Sequence, residues 1–353
     1  MNFDLKALLR PHIRELKPYT SARDEYSGKD GIFLDANENP FGSITTENFN
    51  RYPDPYQQAL KERIATIKNV SPSRIFLGNG SDEPIDLLFR AFCNPAQDNV
   101  IILPPTYGMY GVSASINAIE TISIPLTEDF QLQKEKVLEA VSEKSKILFI
   151  CSPNNPSGNS LNPNEIEELI QKFPGIVVID EAYVDFMSGE SFVKKLEEYP
   201  NLVILQTFSK AWGLASLRLG MAFASEEIIS VLNKIKPPYN ISGLTQRTVL
   251  DALDNTDKMK RMVADILIQR DKLKKELESL DGVIKVFPSD ANFLLVKVPN
   301  ANKAYQDLIG RKVILRNRSN VLLCENCLRI TIGTEEENKI LIAELKNWLT
   351  ENS

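Results

Sequence analysis

The 353-residue sequence is too long for one simple core and suits two domains, or one large domain with a smaller satellite. Its 43% hydrophobic and 25% charged residues are the balance of an ordinary soluble globular protein. A formal charge of −6 gives no overall attraction to nucleic acid or to an anionic membrane, so neither is an expected partner.

Residues 1–18 mix charge into every few positions, with no apolar core of the signal-peptide kind. No stretch is long and apolar enough to span a bilayer, and a cytoplasmic protein is expected. Any chemistry built on histidine would have to use His12, the one histidine, which follows Pro11 in this charged segment and reads as a surface residue. An enzyme of this sequence must therefore move protons with a lysine, a carboxylate, a tyrosine or a cofactor. In GNGSDEP (78–84), Gly78 and Gly80 bracket a turn, and Ser81 and Asp82 are N-cap candidates for the amphipathic IDLLFRAF that follows. Such a turn can offer backbone N–H groups to a phosphate, or it can be an ordinary loop.

NVIILPP (99–105), ILFICSP (147–153), GIVVIDEAY (175–183), NLVILQTFS (201–209) and LGMAFAS (219–225) read as buried strands. Each is β-branched or leucine-rich, and most end in polar residues or proline. NEIEELIQKF (164–173) reads as a helix between two of them. Strands separated by helices predict an α/β three-layer sandwich with a mostly parallel central sheet. Ligands of such sheets gather beyond the carboxyl ends of the strands. That is where SPNNPSG (152–158), Asp180-Glu181 and Ser209-Lys210 fall.

The paired prolines of IKPPYNISG (235–243) break the pattern. A long charged helix is predicted over roughly 246–280, then strands in GVIKVFPSDANFLLVKV (282–298) and LRITIGT (328–334), then a closing helix from about 335. These make a smaller α+β C-terminal domain. The expected division is an N-terminal segment, 1–39, packing with the small domain; a large domain, 40–243; and the small domain, 244–353. Cys324 and Cys327 are a lone CxxC pair, and with Cys93 and Cys151 are too few for a disulfide framework or a zinc site. Reduced core cysteines and no metal are expected.

TFSKAWGLASLRLG (207–220) raises the sharpest question. Lys210 stands among Phe208, Ala211, Trp212, Leu214 and Ala215, and a lysine is rarely buried unless its charge is paired or its pKa lowered. Either it lies on a solvated edge, or the site has a chemical use for an amine. Asp180 poses a similar question, as a carboxylate ending an apolar strand.

The order of these features is more specific than any one of them. An asparagine turn at Asn155, Asp180, Ser209-Lys210 and Arg218 together resemble the aspartate aminotransferase-like (fold type I) pyridoxal-phosphate enzymes, across most of the chain. The resemblance implies pyridoxal 5'-phosphate as cofactor and Lys210 as the Schiff-base lysine, in a largely apolar pocket that keeps its amine neutral. Asp180 would pair with the pyridinium nitrogen, and Asn155 and Tyr183 would bond the ring's 3-oxygen. Ser209, Arg218 and the backbone N–H groups at Ser81 and Asp82 would hold the phosphate, with Tyr107 stacked over the ring.

A narrower resemblance lies in PYTSAR (18–23), LDANENP (34–40), RYPDP (51–55), SDANF (289–293) and LRITIGT (328–334). These are similar to the histidinol-phosphate aminotransferases. The match implies exchange of an amino group between L-histidinol phosphate and glutamate/2-oxoglutarate, in a homodimer where Tyr52 reaches the neighbouring subunit's cofactor phosphate. Arg329, and Arg316 in VILRNRSN (313–320), would grip the substrate's acidic group, with Arg318 close by. Tyr19, Asn37 and Asn292 would bind substrate in the same pocket. On its residues alone, Arg329 reads better as a strand arginine in a surface ion pair. An aminotransferase for aromatic or other amino acids, or a threonine-phosphate decarboxylase, would share this layout. A catalytically dead relative kept for binding would have no need of Lys210, Asp180, Asn155, Tyr183 and Arg218 together.

Overall fold

In the computed structural model, which describes residues 3–20 and 31–352, the five apolar runs all become strands. They are β2 (Asn99–Ile102), β4 (Ser145–Cys151), β5 (Ile176–Asp180), β6 (Leu202–Thr207) and β7 (Leu219–Phe223). Two strands that the sequence did not single out, β1 (Ile75–Asn79) and β3 (Glu120–Ser123), complete a sheet ordered β1-β7-β6-β5-β4-β2-β3. Strands β2 to β6 run parallel, whereas β7 is antiparallel to both neighbours, β1 and β6. The connection 208–218 contains no α-helix to carry the chain back across the sheet, so β7 returns in the opposite sense.

Alternate residues of one strand feed opposite layers. Ile176 and Val178 of β5 join Phe149, Phe89 and Leu232 on one face, and Val177 and Ile179 join Leu148, Ile64 and Leu169 on the other. Helices Asp82–Phe92 and Glu226–Ile235 cover the first face, Gln58–Lys68 and Pro163–Lys172 the second. This is the expected three-layer sandwich. Each side chain so enclosed stabilises the fold by roughly 1.5–3 kcal/mol relative to exposure.

The second sheet is antiparallel, ordered β10-β11-β9-β8, from β8 (Lys285–Val286), β9 (Phe293–Lys297), β10 (Arg316–Asn317) and β11 (Cys327–Thr331). Leu294, Val296, Leu328 and Ile330 pack with Leu273, Leu277, Leu345 and Trp348 to make its own core. The closing helix Glu335–Glu351 starts in a capping box between Thr334 and Glu337.

Three expectations change. The predicted long helix is two, Gly243–Ala252 and Thr256–Glu278, separated by a 3-10 turn at Leu253–Asn255. Asp254, Asn255 and Thr256 compete poorly for helix, while buried Leu253 anchors the turn. Residues 244–252, expected in the small domain, send Val249 into the core that holds Leu60 and Ile64 of the larger unit. Residues 3–15, expected to pack with the small domain, lie on the large one. Phe3, Leu5, Leu8, Leu9 and Ile13 cover the face that holds Phe89 and Leu232. The Lys234 ammonium donates to the Ile13 carbonyl at 2.8 Å and the Arg10 amide to the Ala91 carbonyl at 3.0 Å.

Candidate active site

A cleft of about 900 Å³ opens beyond the carboxyl ends of β4, β5 and β6, lined by their last residues Cys151, Asp180 and Thr207. Ser81, Asp82, Tyr107, Asn155, Tyr183, Ser209, Lys210 and Arg218 meet there, and Arg316, Arg318 and Arg329 close it from the small sheet. Residues far apart in sequence thus share one cavity.

The carboxylate end is tightly held. Asp180 is 3% exposed; the Tyr110 hydroxyl donates to Oδ2 at 2.7 Å and the Ala182 amide to Oδ1 at 3.0 Å. Burial pushes its pKa above the usual carboxylate range; the Tyr110 phenol, the Ala182 amide and the Lys210 charge pull the other way. Tyr110 is itself fully buried and stacks on Phe149 with centroids 4.7 Å apart. A buried carboxylate of this kind accepts a cationic partner readily.

Lys210 resolves the question its sequence raised. Phe208, Ala211 and Trp212 turn into the core, while Lys210 projects into the open cleft. The setting is therefore less enclosed than the sequence suggested. Even so, the cleft walls desolvate the amine and lower its pKa, with further lowering from Arg329 and Arg218; the carboxylates of Asp180 and Asp82 oppose this. Its Nζ stands 5.6 Å from the centre of the Tyr183 ring. The result is an accessible amine that sheds its proton more easily than a surface lysine.

An anion cradle lies beside it. Ser81 sits at the N-cap position of Asp82–Phe92 but makes no side-chain cap bond, contrary to the expected capping role. The Gly80 amide donates to the Arg218 carbonyl at 2.8 Å, and an Arg218 guanidinium nitrogen lies 3.6 Å from Asp82 Oδ2. Gly80, at φ +69°, permits this approach, since a Cβ there would stand 2.6 Å from the Arg218 guanidinium. A Cβ on Gly220 would fall 2.3 Å from the Gly80 carbonyl carbon and the Ser81 nitrogen. The Tyr107 hydroxyl donates to Asp82 Oδ1 at 3.0 Å. Ser209, Arg218 and the helix start could together hold a phosphate, and the buried Asp180 carboxylate could pair with a protonated ring nitrogen. The residues present fit pyridoxal phosphate.

Arg329 is not a surface ion pair. Its guanidinium donates to Asn155 Oδ1 at 2.6 Å and lies 5.2 Å from the Phe293 ring centre.

Four expected residues do not line the cleft. Tyr19, 76% exposed, borders a separate depression with Arg10, Tyr56 and Lys234. Asn37 is exposed, in the left-handed region at φ 53°. Asn292 holds β11 in place through its carbonyl, which accepts from the Ile332 amide at 2.9 Å. Tyr52, assigned by resemblance to a neighbouring subunit's site, stacks half-exposed on Tyr239 at 4.5 Å. Conversely, no role was expected of Tyr110. Its one signal was a second tyrosine one helical turn after Tyr107 in PPTYGMY. Among the described residues no cluster of three or more His, Cys, Asp or Glu could hold a metal, and no helix is long and apolar enough to cross a membrane.

Residues 30–345 match the family described as aminotransferase class I and II. The chain belongs to that family. Two histidinol-phosphate aminotransferases, from Cytophaga hutchinsonii and Flavobacterium johnsoniae, are each 56% identical to it. The first aligns over 99% of this chain and 100% of its own, the second over 98% of both. Among solved structures, the Sinorhizobium meliloti histidinol-phosphate aminotransferase in complex with pyridoxal-5'-phosphate superposes with a TM-score of 0.81 at 22% identity, covering 98% of both chains. At that identity the likeness speaks for the shared fold. This aminotransferase thus has the architecture that its strand and helix pattern predicted.

Proposed function

We propose that this aminotransferase carries pyridoxal 5'-phosphate and exchanges an amino group between L-histidinol phosphate and 2-oxoglutarate. The products are imidazole-acetol phosphate and L-glutamate, formed in two ping-pong half-reactions of histidine biosynthesis. One observation carries the reading: an amine, a buried carboxylate, a phosphate cradle and a cluster of guanidiniums share one cleft. The names of the relatives support the substrate.

Bound there, the cofactor supplies an aldehyde that takes up the amino group and a ring that spreads the charge left on the substrate carbon. Asp180 would pair with the ring nitrogen and hold its proton there, an ion pair that would offset the carboxylate's own burial. Lys210 Nζ, with its lowered pKa, takes the proton from the substrate carbon that bears nitrogen. Ser209, Arg218 and the amides at Ser81 and Asp82 bind the cofactor phosphate. Asn155 and Tyr183 would orient the ring through its 3-oxygen, and Tyr107 would pack over its face. Arg329 and Arg316 bind the substrate's acidic group bidentately.

The active unit in this reading is a homodimer with Tyr52 reaching across. Phe41 at 96% and Ile44 at 107% relative exposure support cover by a second copy. Four free, buried cysteines suit the reducing cytoplasm.

The test is a half-reaction without keto acid, followed by cofactor absorbance. Rapid conversion to the pyridoxamine form with histidinol phosphate, far more efficient than with phenylalanine, is expected. Conversion only by an aromatic amino acid, or decarboxylation of threonine phosphate, would overturn the substrate.

A further inference from the structure

The ribbon β10–β11 turns three arginines toward the cleft. Arg316 stands directly opposite Arg329 in the antiparallel register. Arg318 lies two residues beyond Arg316, hence on the same face, and its amide donates to the Cys327 carbonyl at 2.9 Å. Like charges placed opposite each other on a ladder destabilise it. No carboxylate is among the groups that act on Arg318: Arg329 and Arg316 repel it, the Cys324 thiol and the Tyr183 phenol oppose them, and its Nε is buried with no partner. Around the cleft as a whole, Lys210, Arg218 and these three face only Asp82 and Asp180. Asp82 lies beside Arg218, and Asp180 acts on Lys210. The surplus of positive charge is the three arginines themselves.

A carboxylate presents two oxygens in one plane, and the fork of Arg329 with help from Arg316 satisfies it. A phosphate monoester presents three oxygens and close to two negative charges. We propose that Arg318 is a specificity-determining residue, adding a third guanidinium that selects a phosphate monoester dianion over a carboxylate at this anion site. The inference rests on the proposed transaminase reading and deepens it by separating the two substrates that share the site.

The test replaces Arg318 by Gln, which stays polar but is shorter and removes the charge. The Arg318→Gln protein should raise KM for histidinol phosphate by roughly ten- to a hundredfold, the scale of one lost hydrogen bond to a charged group. Its kcat and its KM for glutamate should stay within about threefold of the parent, because two guanidiniums remain. Inorganic phosphate, as a competitive inhibitor of the glutamate half-reaction, should weaken in parallel. Arg318→Lys should recover part of the loss, as a charge without the fork. Unaltered cofactor absorbance shows that the variant has folded. Equal losses for both substrates, or no change in either, would overturn the proposal. If the parent itself ignores histidinol phosphate, the functional reading fails instead. Phosphate inhibition then still decides the role of Arg318: weaker inhibition of the variant upholds it, and equal inhibition overturns it.

Discussion

The two walls of the cleft are built on opposite principles. On the large-sheet side, Asp180 already has two donors, and Arg218 lies beside Asp82 while its carbonyl accepts from Gly80. On the small-sheet side, Arg316, Arg318 and Arg329 crowd together on a short ribbon with no carboxylate to answer them. The first wall is rigid and nearly satisfied, as suits a group that stays. The second is left in electrostatic debt, as suits a ligand that arrives with its own negative charge and leaves again.

Four substitutions test that contrast, from the largest effect to the smallest. Lys210→Ala should reduce transamination by more than about a thousandfold while leaving the fold and the proposed dimer intact. Near-ultraviolet dichroism and gel filtration check the second half; a lost dimer would mean that Lys210 is mainly structural. Arg329→Ala should weaken both substrates by about 2–5 kcal/mol, as when one partner of a desolvated pair is removed. Initial rates with each substrate show this, and loss of glutamate alone would put the phosphate elsewhere.

Gly220→Ala tests the rigid wall. A methyl group 2.3 Å from the Gly80 backbone must displace the turn or β7, so stability should fall by about 1–3 kcal/mol. Thermal melting of the cofactor-free protein measures this; an unchanged midpoint would show that the close approach is not needed.

Tyr110→Phe is the finest probe. Burial raises the Asp180 pKa and the Tyr110 hydroxyl lowers it, so removing the hydroxyl moves the pKa further up. Ring binding needs the ionised carboxylate, so cofactor affinity should begin to fail at a higher pH as the solution is acidified. A shift of about one pH unit corresponds to about 1.4 kcal/mol. Cofactor affinity measured across pH in both proteins gives the answer; superimposed curves would reduce Tyr110 to packing.

Much of this was legible in the sequence because of burial. β5 reads as a strand since all five of its residues are enclosed, and Asp180 stands out as the one charge at its end. β3 was missed because its residues are only partly buried or exposed at the sheet edge. Lys210 misled for a related reason: its apolar neighbours face the core while it faces the cleft, and sequence does not give the direction of a side chain in a loop. Tyr19, Asn37 and Asn292 were placed by resemblance, and within this chain none of them lines the cleft. Tyr110 escaped notice because a buried tyrosine on a helix is indistinguishable from core until its hydroxyl is seen to meet Asp180.

The central claim is that Lys210 is the amine on which the cofactor is carried. Borohydride reduction of the cofactor-loaded protein, followed by peptide mass spectrometry, tests it directly. The account predicts a phosphopyridoxyl group on Lys210 and on no other lysine; a label elsewhere, or none, would contradict it.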